Sequence, residues 1–194
     1  MQDWEAGTFF GIDLESGEFM GAKVGMGETR LDEPFELADS IPVDVGLYGA
    51  DEIRFFVNTS RHRALAGEFR GSWVELYGGK HWRAEASLTA SPSPQVSVEA
   101  AHEWNRVDLP NGEFVANITS MRFGYAFSTR LTTNALIQYN SLFKDFSANL
   151  RFNFIHRPGS DLFIVLTEQR GVEEDLWELS DRGLVAKVTY LVRF

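Results

Sequence analysis

The residues best suited to catalysis or metal binding are four histidines, and their spacing favours neither chemistry. His62, His81, His102 and His156 are scattered, and none belongs to a metal motif such as HExxH. Ser97 with His102 would be the nearest approach to a hydrolase pair, but no G-x-S-x-G element supports it. The sequence therefore leans against an enzyme, and we expect no catalytic residue, cofactor or metal ion.

A second set of polar side chains alternates with apolar ones, so we predict that the set shares one face of a sheet and lines a polar lumen. Opposite charges on that face can pair across neighbouring strands. The set comprises Arg54, Glu68, Arg70, Arg83, Glu85, Glu99, Glu103, Arg122, Asn134, Gln138, Asn149, Arg151, Asn153, Lys187 and Arg193. Two interpretations stay open: a charge ladder that fills a structural barrel, which is favoured, or a solute path.

An acidic stretch lies near the carboxyl end, with Glu173, Glu174 and Asp175 followed by Glu178 and Asp181. A site for divalent ions or lipopolysaccharide is conceivable there. A solvated outer loop is the favoured interpretation.

Composition excludes several classes of protein. The net charge of −10 argues against a nucleic-acid partner, because phosphate binding needs clustered Lys and Arg. The chain has no cysteine, which removes disulfides and thiolate metal sites. The longest comparable apolar run is Leu162–Leu166, far short of the ~18 residues of a membrane-spanning helix.

The elements that must position these residues are strands, because apolar residues recur with period two. Prolines and glycines separate the periodic segments, and 172–179 is the one candidate for a helical turn. The predicted strands are 4–12, 17–25, 49–58, 64–77, 81–90, 94–106, 113–127, 131–140, 146–156, 161–168 and 184–194. A change of parity predicts a bulge near Thr119 and Ser120. The predicted fold is all-β, an antiparallel up-and-down transmembrane β-barrel of about 10–11 strands.

The last eleven residues carry the clearest membrane signal. Leu184, Ala186, Val188, Tyr190, Val192 and Phe194 form an apolar file opposite Lys187 and Arg193. That length matches the ~9–11 residues of a tilted strand that crosses a bilayer. Taken alone, the same pattern also fits the edge strand of a soluble protein. If this strand ends on the periplasmic side, the two longest connections, about 26–48 and 169–183, fall outside, as is typical of outer-membrane barrels.

Eleven strands is an odd count, whereas bacterial single-chain barrels close with an even one. We therefore predict that residues 1–194 form one carboxy-terminal segment of a larger barrel. The alternative is that one of the two weak initial strands, 4–12 or 17–25, is wrong. The export signal and first strands of the larger barrel are expected to be absent, because the sequence begins without a basic and apolar leader.

Several blocks of sequence resemble a known family. They are Asp32–Leu37, Ile41-Pro42 with Tyr48, Leu131–Asn140, Phe152–Phe163 and Val188–Phe194. Together they resemble the carboxy-terminal barrel of a family of Gram-negative outer-membrane proteins of unknown function, in which a carbohydrate-binding-family-nine-like module precedes the barrel.

The resemblance implies an outer-membrane location, with membrane lipid and lipopolysaccharide as neighbours. It also implies that the barrel-assembly machinery recognises the last strand through Tyr190 and Phe194. It transfers no catalytic residue. The export signal and the sugar-binding module of the family are expected to be absent from residues 1–194.

The favoured function is therefore membrane integration as a barrel segment. Passage or docking of a solute, with a saccharide as the candidate, is the further role considered. A second hypothesis is a soluble antiparallel β-barrel that binds a ligand in a cup and turns its apolar files inward. A third, less favoured, is an outer-membrane hydrolase.

Overall fold

The computed structural model describes residues 3–38, 41–173 and 176–191, and this part of the chain is built from β-strands. In chain order, β1 to β14 are Asp3–Asp13, Phe19–Leu31, Phe35–Leu37, Ile41–Val43, Gly46–Gly49, Glu52–Asn58, Leu65–Leu76, Gly79–Ser93, Val96–Leu109, Gly112–Ser128, Leu131–Asn140, Asp145–Arg157, Ser160–Glu173 and Leu176–Thr189. No helix within the described residues has the length and apolar character needed to cross a membrane.

The strands form one antiparallel, up-and-down sheet in the order β1-β2-β6-β7-β8-β9-β10-β11-β12-β13-β14. The short β5 pairs with the end of β2, and β3 and β4 form a separate hairpin. The predicted all-β, antiparallel class is confirmed, and each predicted strand overlaps a strand on this path. Within the described residues the sheet does not close on itself.

Tight turns explain why consecutive strands are neighbours. Between β7 and β8 the turn residues Tyr77 and Gly78 both have positive φ, at 49° and 77°. Such two-residue turns match the twist of the strands that they join. The chain therefore returns directly alongside itself.

The last hairpin is longer than the sequence pattern predicts. β13 runs to Glu173 and β14 begins at Leu176, with these two residues opposite each other. The predicted outer connection at 169–183 and the helical turn at 172–179 are therefore wrong. Backbone hydrogen bonds hold a ladder together whatever its side chains, so both strands continue beyond the apolar alternation on which the prediction rested.

The terminal strand also ends earlier than predicted. β14 stops at Thr189, and the Leu191 N–H donates to Ser160 Oγ at 3.0 Å. Residues 192–194 lie outside the described part of the chain. The alternation is confirmed where the strand is described: Leu184, Ala186 and Val188 lie opposite Leu166, Ile164 and Leu162.

The other long connection, predicted at 26–48, is largely structured. β2 continues to Leu31 and pairs there with β5, and the hairpin of β3 and β4 fills the middle. The predicted bulge at Thr119 and Ser120 is not found on the ladder between β10 and β11. Register is continuous there and shifts instead between Ala126 and Ser128.

The chain divides into two compact units. The first comprises 1–61, 67–86 and 103–116, and the second comprises 62–66, 87–102 and 117–194. A small hydrophobic core lies in the first unit. It includes residues of the predicted connection 26–48, which explains why that segment is structured. Its buried members are Leu31, Ile41, Val43, Val107 and Leu109, with Phe35, Leu37, Tyr48, Leu76, Tyr77 and Phe114 packed against them.

Candidate functional site

Strand register assigns the side chains of the first unit to two faces. Lys23 of β2 lies opposite Phe9 of β1 and Arg54 of β6. Arg54 in turn lies opposite Ser72 of β7. Directly opposed residues of antiparallel strands point to the same side of a sheet. We name the side that carries Lys23 and Arg54 the charged face, and the other side the apolar face.

The charged face of the first unit begins with a cluster around one buried carboxylate. Glu52 has a side chain only 6% exposed, and its Oε1 lies 2.6 Å from Lys23 Nζ. Its Oε2 lies 2.5 Å from Arg54 Nη2. Lys23 Nζ also contacts Glu5 Oε1 at 2.5 Å. Two cations therefore share two acids on neighbouring strands.

A second cluster continues across β7, β8 and β9. Arg70 pairs with Glu68 and lies 3.7 Å from Glu85. Arg83 Nη2 lies 3.0 Å from Glu85 Oε2 and 2.7 Å from Glu103 Oε2. The pairing of opposite charges anticipated for this set is present within the first unit.

Sequence reasoning missed three members of these clusters, Glu5, Lys23 and Glu52. Glu52 was detectable, because it lies two residues from Arg54 within a predicted strand. Lys23 and Glu5 carried a weaker signal, since glycines interrupt the alternation of β1 and β2.

Replacing Glu52 with glutamine is expected to lower the free energy of unfolding by about 1–3 kcal/mol. Lys23 and Arg54 would both lose their charged contact with the poorly hydrated Glu52 side chain. Each of the two cations keeps partial contact with water, which limits the loss. A urea titration of the refolded protein measures the loss. The control is Glu113→Gln, which removes an exposed pair with Arg106 and should cost about 0–1 kcal/mol. Equal losses for the two variants would contradict the special position of Glu52.

The apolar face of the first unit is exposed. Phe10 and Ile12 of β1 are 67% and 59% exposed, and Met26 and Ile53 are also exposed. A soluble ligand-binding cup would turn these residues toward its interior. In the structure they are exposed rather than packed into a core.

The second unit repeats the division into two faces. On its polar face Arg122 Nη1 donates to Glu99 Oε1 at 3.2 Å. Asn149 Nδ2 donates to Thr167 Oγ1 at 3.1 Å, and Arg151 Nε donates to Asn149 Oδ1 at 3.0 Å. These predicted residues therefore form contacts with one another or with an adjacent strand.

The polar face of the second unit also contains cavities. One of about 310 Å³ is lined by Arg122, Asn134, Asn149 and Arg151 with Ala135 and Leu136. A second, of about 370 Å³, includes Asn134 in a lining of serines, threonines and Gln95. A third, of about 340 Å³, includes Gln138. Asn153 lies opposite Thr132 on the same face.

The remaining predicted residues are at the last strand. Lys187 is exposed and lies opposite Phe163. Tyr190 is exposed, and the Arg157 guanidinium lies 4.4 Å from the centre of its ring. Arg193 and Phe194 lie outside the described residues, so the structure does not place them.

One group of charges lies on the apolar face of the second unit. Glu168 of β13 is opposite Ala148 and Arg182, two residues beyond Leu166. Its carboxylate accepts from Arg170 Nε at 2.5 Å and from Arg182 Nη2 at 2.6 Å. Arg170 and Arg182 were missed because the predicted strands stopped at 168 and began at 184. The three charges mark where the apolar file ends.

The residues considered for catalysis do not converge. Ser97 and His102 are five residues apart on β9 and point to opposite sides of it. His102 Nδ1 lies 2.9 Å from Thr119 Oγ1, and His81 Nε2 lies 3.0 Å from Asn105 Oδ1. Among the residues that the structure describes, no group of three or more His, Asp or Glu could hold a metal ion.

The predicted acidic loop is a hairpin for most of its length. Glu178 and Asp181 are exposed residues of β14. Glu174 and Asp175 lie outside the described residues.

Comparisons with known proteins leave the family open. No protein-family model and no curated protein matches this chain. One similar solved structure is that of a KdgM porin in complex with disordered oligogalacturonate. It covers 98% of each chain at 10% identity, with a TM-score of 0.41. The predicted relation to barrels preceded by a sugar-binding module has no counterpart in these comparisons.

Proposed function

We propose that this chain spans a bacterial outer membrane as part of a β-barrel, with its apolar face toward lipid and its charged face toward a polar lumen. The observation that carries the proposal is the pairing, in each unit, of an exposed apolar face with a face of charged and amide side chains. Soluble monomers rarely expose large contiguous apolar patches. In lipid such a face is stable, and strand ladders satisfy the backbone polar groups.

We further propose that polar solutes, with saccharides as the class, pass along the polar face. The complete pairing of Lys23, Arg54 and Arg83 favours a filled structural barrel as the second candidate. The cavity lined by Arg122, Asn134 and Asn149 favours passage, because guanidinium and amide groups offer donors and acceptors that match sugar hydroxyls.

The finer predictions of the family resemblance belong to this proposal. They are a Gram-negative host, contact with lipopolysaccharide, a sugar-binding module that precedes the barrel, and recognition of Tyr190 and Phe194 by the assembly machinery. A saccharide-binding module upstream would deliver the solute class that we assign to the barrel.

Membrane integration is tested by electrophoretic mobility after the chain is refolded in detergent. We expect a compact, fast-migrating form before boiling and a slower form afterwards, and no stable fold in plain buffer. The expectation follows from the exposed apolar face, which detergent must cover. A compact soluble monomer without detergent would refute the membrane assignment.

Solute passage is tested separately in proteoliposomes. Vesicles containing the refolded chain should swell in iso-osmotic solutions of small sugars faster than empty vesicles do. Vesicles that contain folded protein but admit no solute would favour the filled barrel.

A further inference from the structure

Three phenylalanines lie on the charged face of the first unit rather than on the apolar face. Phe9 is opposite Lys23, Phe19 is opposite Asn58, and Phe56 is opposite Gly21. Register therefore places these rings among polar side chains. We name Phe9, Phe19 and Phe56 the aromatic platform.

The platform rings lie across a floor of glycine. A Cβ built on Gly11 would come within 2.9 Å of ring atoms of both Phe9 and Phe19. One built on Gly21 would lie 2.8 Å from Phe9 and 3.0 Å from Phe19. Gly11 and Gly21 are directly opposite each other. Because no side chain rises between them, the rings can lie low over the sheet.

The rings also offer an open surface. Phe9 and Phe19 are nearly parallel, with ring centres 6.1 Å apart and an angle of 15° between planes. Phe56 lies 6.3 Å from Phe9. Phe9 is 54% exposed. Phe9 therefore has ring surface that a ligand could contact.

Hydrogen-bonding groups surround the platform, and their charges are already paired. Lys23 beside Phe9 pairs with Glu5 and Glu52. Arg70, opposite Phe56, pairs with Glu68. The rim therefore provides donors and acceptors, and its cations already have acidic partners.

We propose that the aromatic platform is a binding subsite for the pyranose rings of a neutral oligosaccharide. The C–H face of a pyranose carries slight positive charge and packs on the negative face of an aromatic ring. Its hydroxyls project around the edge, where the paired side chains can bond them. An acidic sugar would gain little here because each neighbouring cation already has an acidic partner. The inference rests on the proposed passage of saccharides and names their class.

Phe9→Ala is the test, and Phe10→Ala is its matched control. Phe10 is the next residue of the same strand but points to the apolar face. Calorimetric titration of the detergent-refolded chain uses neutral hexasaccharides (an α-1,4-glucan, a β-1,4-glucan and a β-1,4-xylan) and a hexauronate of equal length. We expect at least one neutral sugar to bind more tightly than the uronate. Phe9→Ala should weaken that binding about tenfold, and Phe10→Ala should leave it within about twofold.

A second substitution separates stacking from folding. Phe9→Leu keeps an apolar side chain but removes the aromatic face, so it should fold normally and still weaken binding. The inference is overturned if no neutral sugar binds, if the uronate binds more tightly, or if Phe10→Ala weakens binding as much as Phe9→Ala. The proposed function fails in a different way, when proteoliposomes of the unaltered chain admit no solute at all.

Discussion

Replacing Leu150 with arginine is expected to lower the free energy of unfolding in a lipid bilayer by about 2–4 kcal/mol, the cost of a cation that faces lipid near the middle of a membrane. Leu150 is the central member of the apolar file 146–154 on β12. It lies between Ala135 and Leu166 on neighbouring strands. The same substitution at a position exposed to water would be nearly neutral, so the measurement tests the environment of this face.

Asn149→Arg is the control for that experiment. Asn149 precedes Leu150 on the same strand and points to the polar face, where it bonds Thr167. We expect a loss of about 1 kcal/mol from the broken hydrogen bond. Urea titration of both variants folded into lipid vesicles gives the comparison. Equal losses, or none at Leu150, would contradict contact between this face and lipid.

Ile41→Ala is expected to cost about 2–5 kcal/mol, because it leaves a cavity in a well-packed core. Ile41 is 5% exposed and is part of the core that joins the hairpin of β3 and β4 to Val107 and Leu109. Asn111 Nδ2 also donates to the Pro42 carbonyl at 2.9 Å. Loss of the core contact should release the hairpin and expose residues 32–45 to proteases.

Val45→Ala provides the matched comparison for the hairpin. Val45 lies four residues from Ile41 and is exposed, so its truncation should change stability by less than about 0.5 kcal/mol. Limited proteolysis followed by mass spectrometry locates the cleavage. If Ile41→Ala leaves the segment as resistant as the unaltered chain, the core does not hold the hairpin.

The strand pattern was predictable wherever alternation is long. In β8 and β12 the apolar residues are spaced by two over most of the strand, so both the strand and its two faces follow from local sequence. Pro94, Pro110 and Pro158 lie in turns as expected, whereas Pro42 and Pro92 lie within β4 and β8. The charge pairing expected on this face, such as that of Arg83 with Glu103, needed only correct parity and neighbouring strands.

Alternation cannot predict the side of the sheet on which a residue lies where two residues of the same kind are adjacent. Phe9 and Phe10 are both aromatic, so alternation alone cannot tell which of them joins Lys23. Register decided this, because Phe9 is opposite Lys23 and Phe10 is opposite Ala22. The aromatic platform was invisible to pattern reasoning for that reason.

Local sequence by itself determined the strands, the order in which turns connect them, and the side of the sheet on which most charged residues lie. The side follows from sequence because successive residues of a strand point to opposite sides of the sheet. Tertiary structure alone decided which of the predicted connections form strands. β4 has three residues, too few for a periodic signal, and Ile41 is buried because Val107 and Leu109 reach it from the far end of β9. β13 and β14 likewise extend past their apolar files because each supplies hydrogen-bond partners for the backbone of the other. Neither segment can form these hydrogen bonds alone.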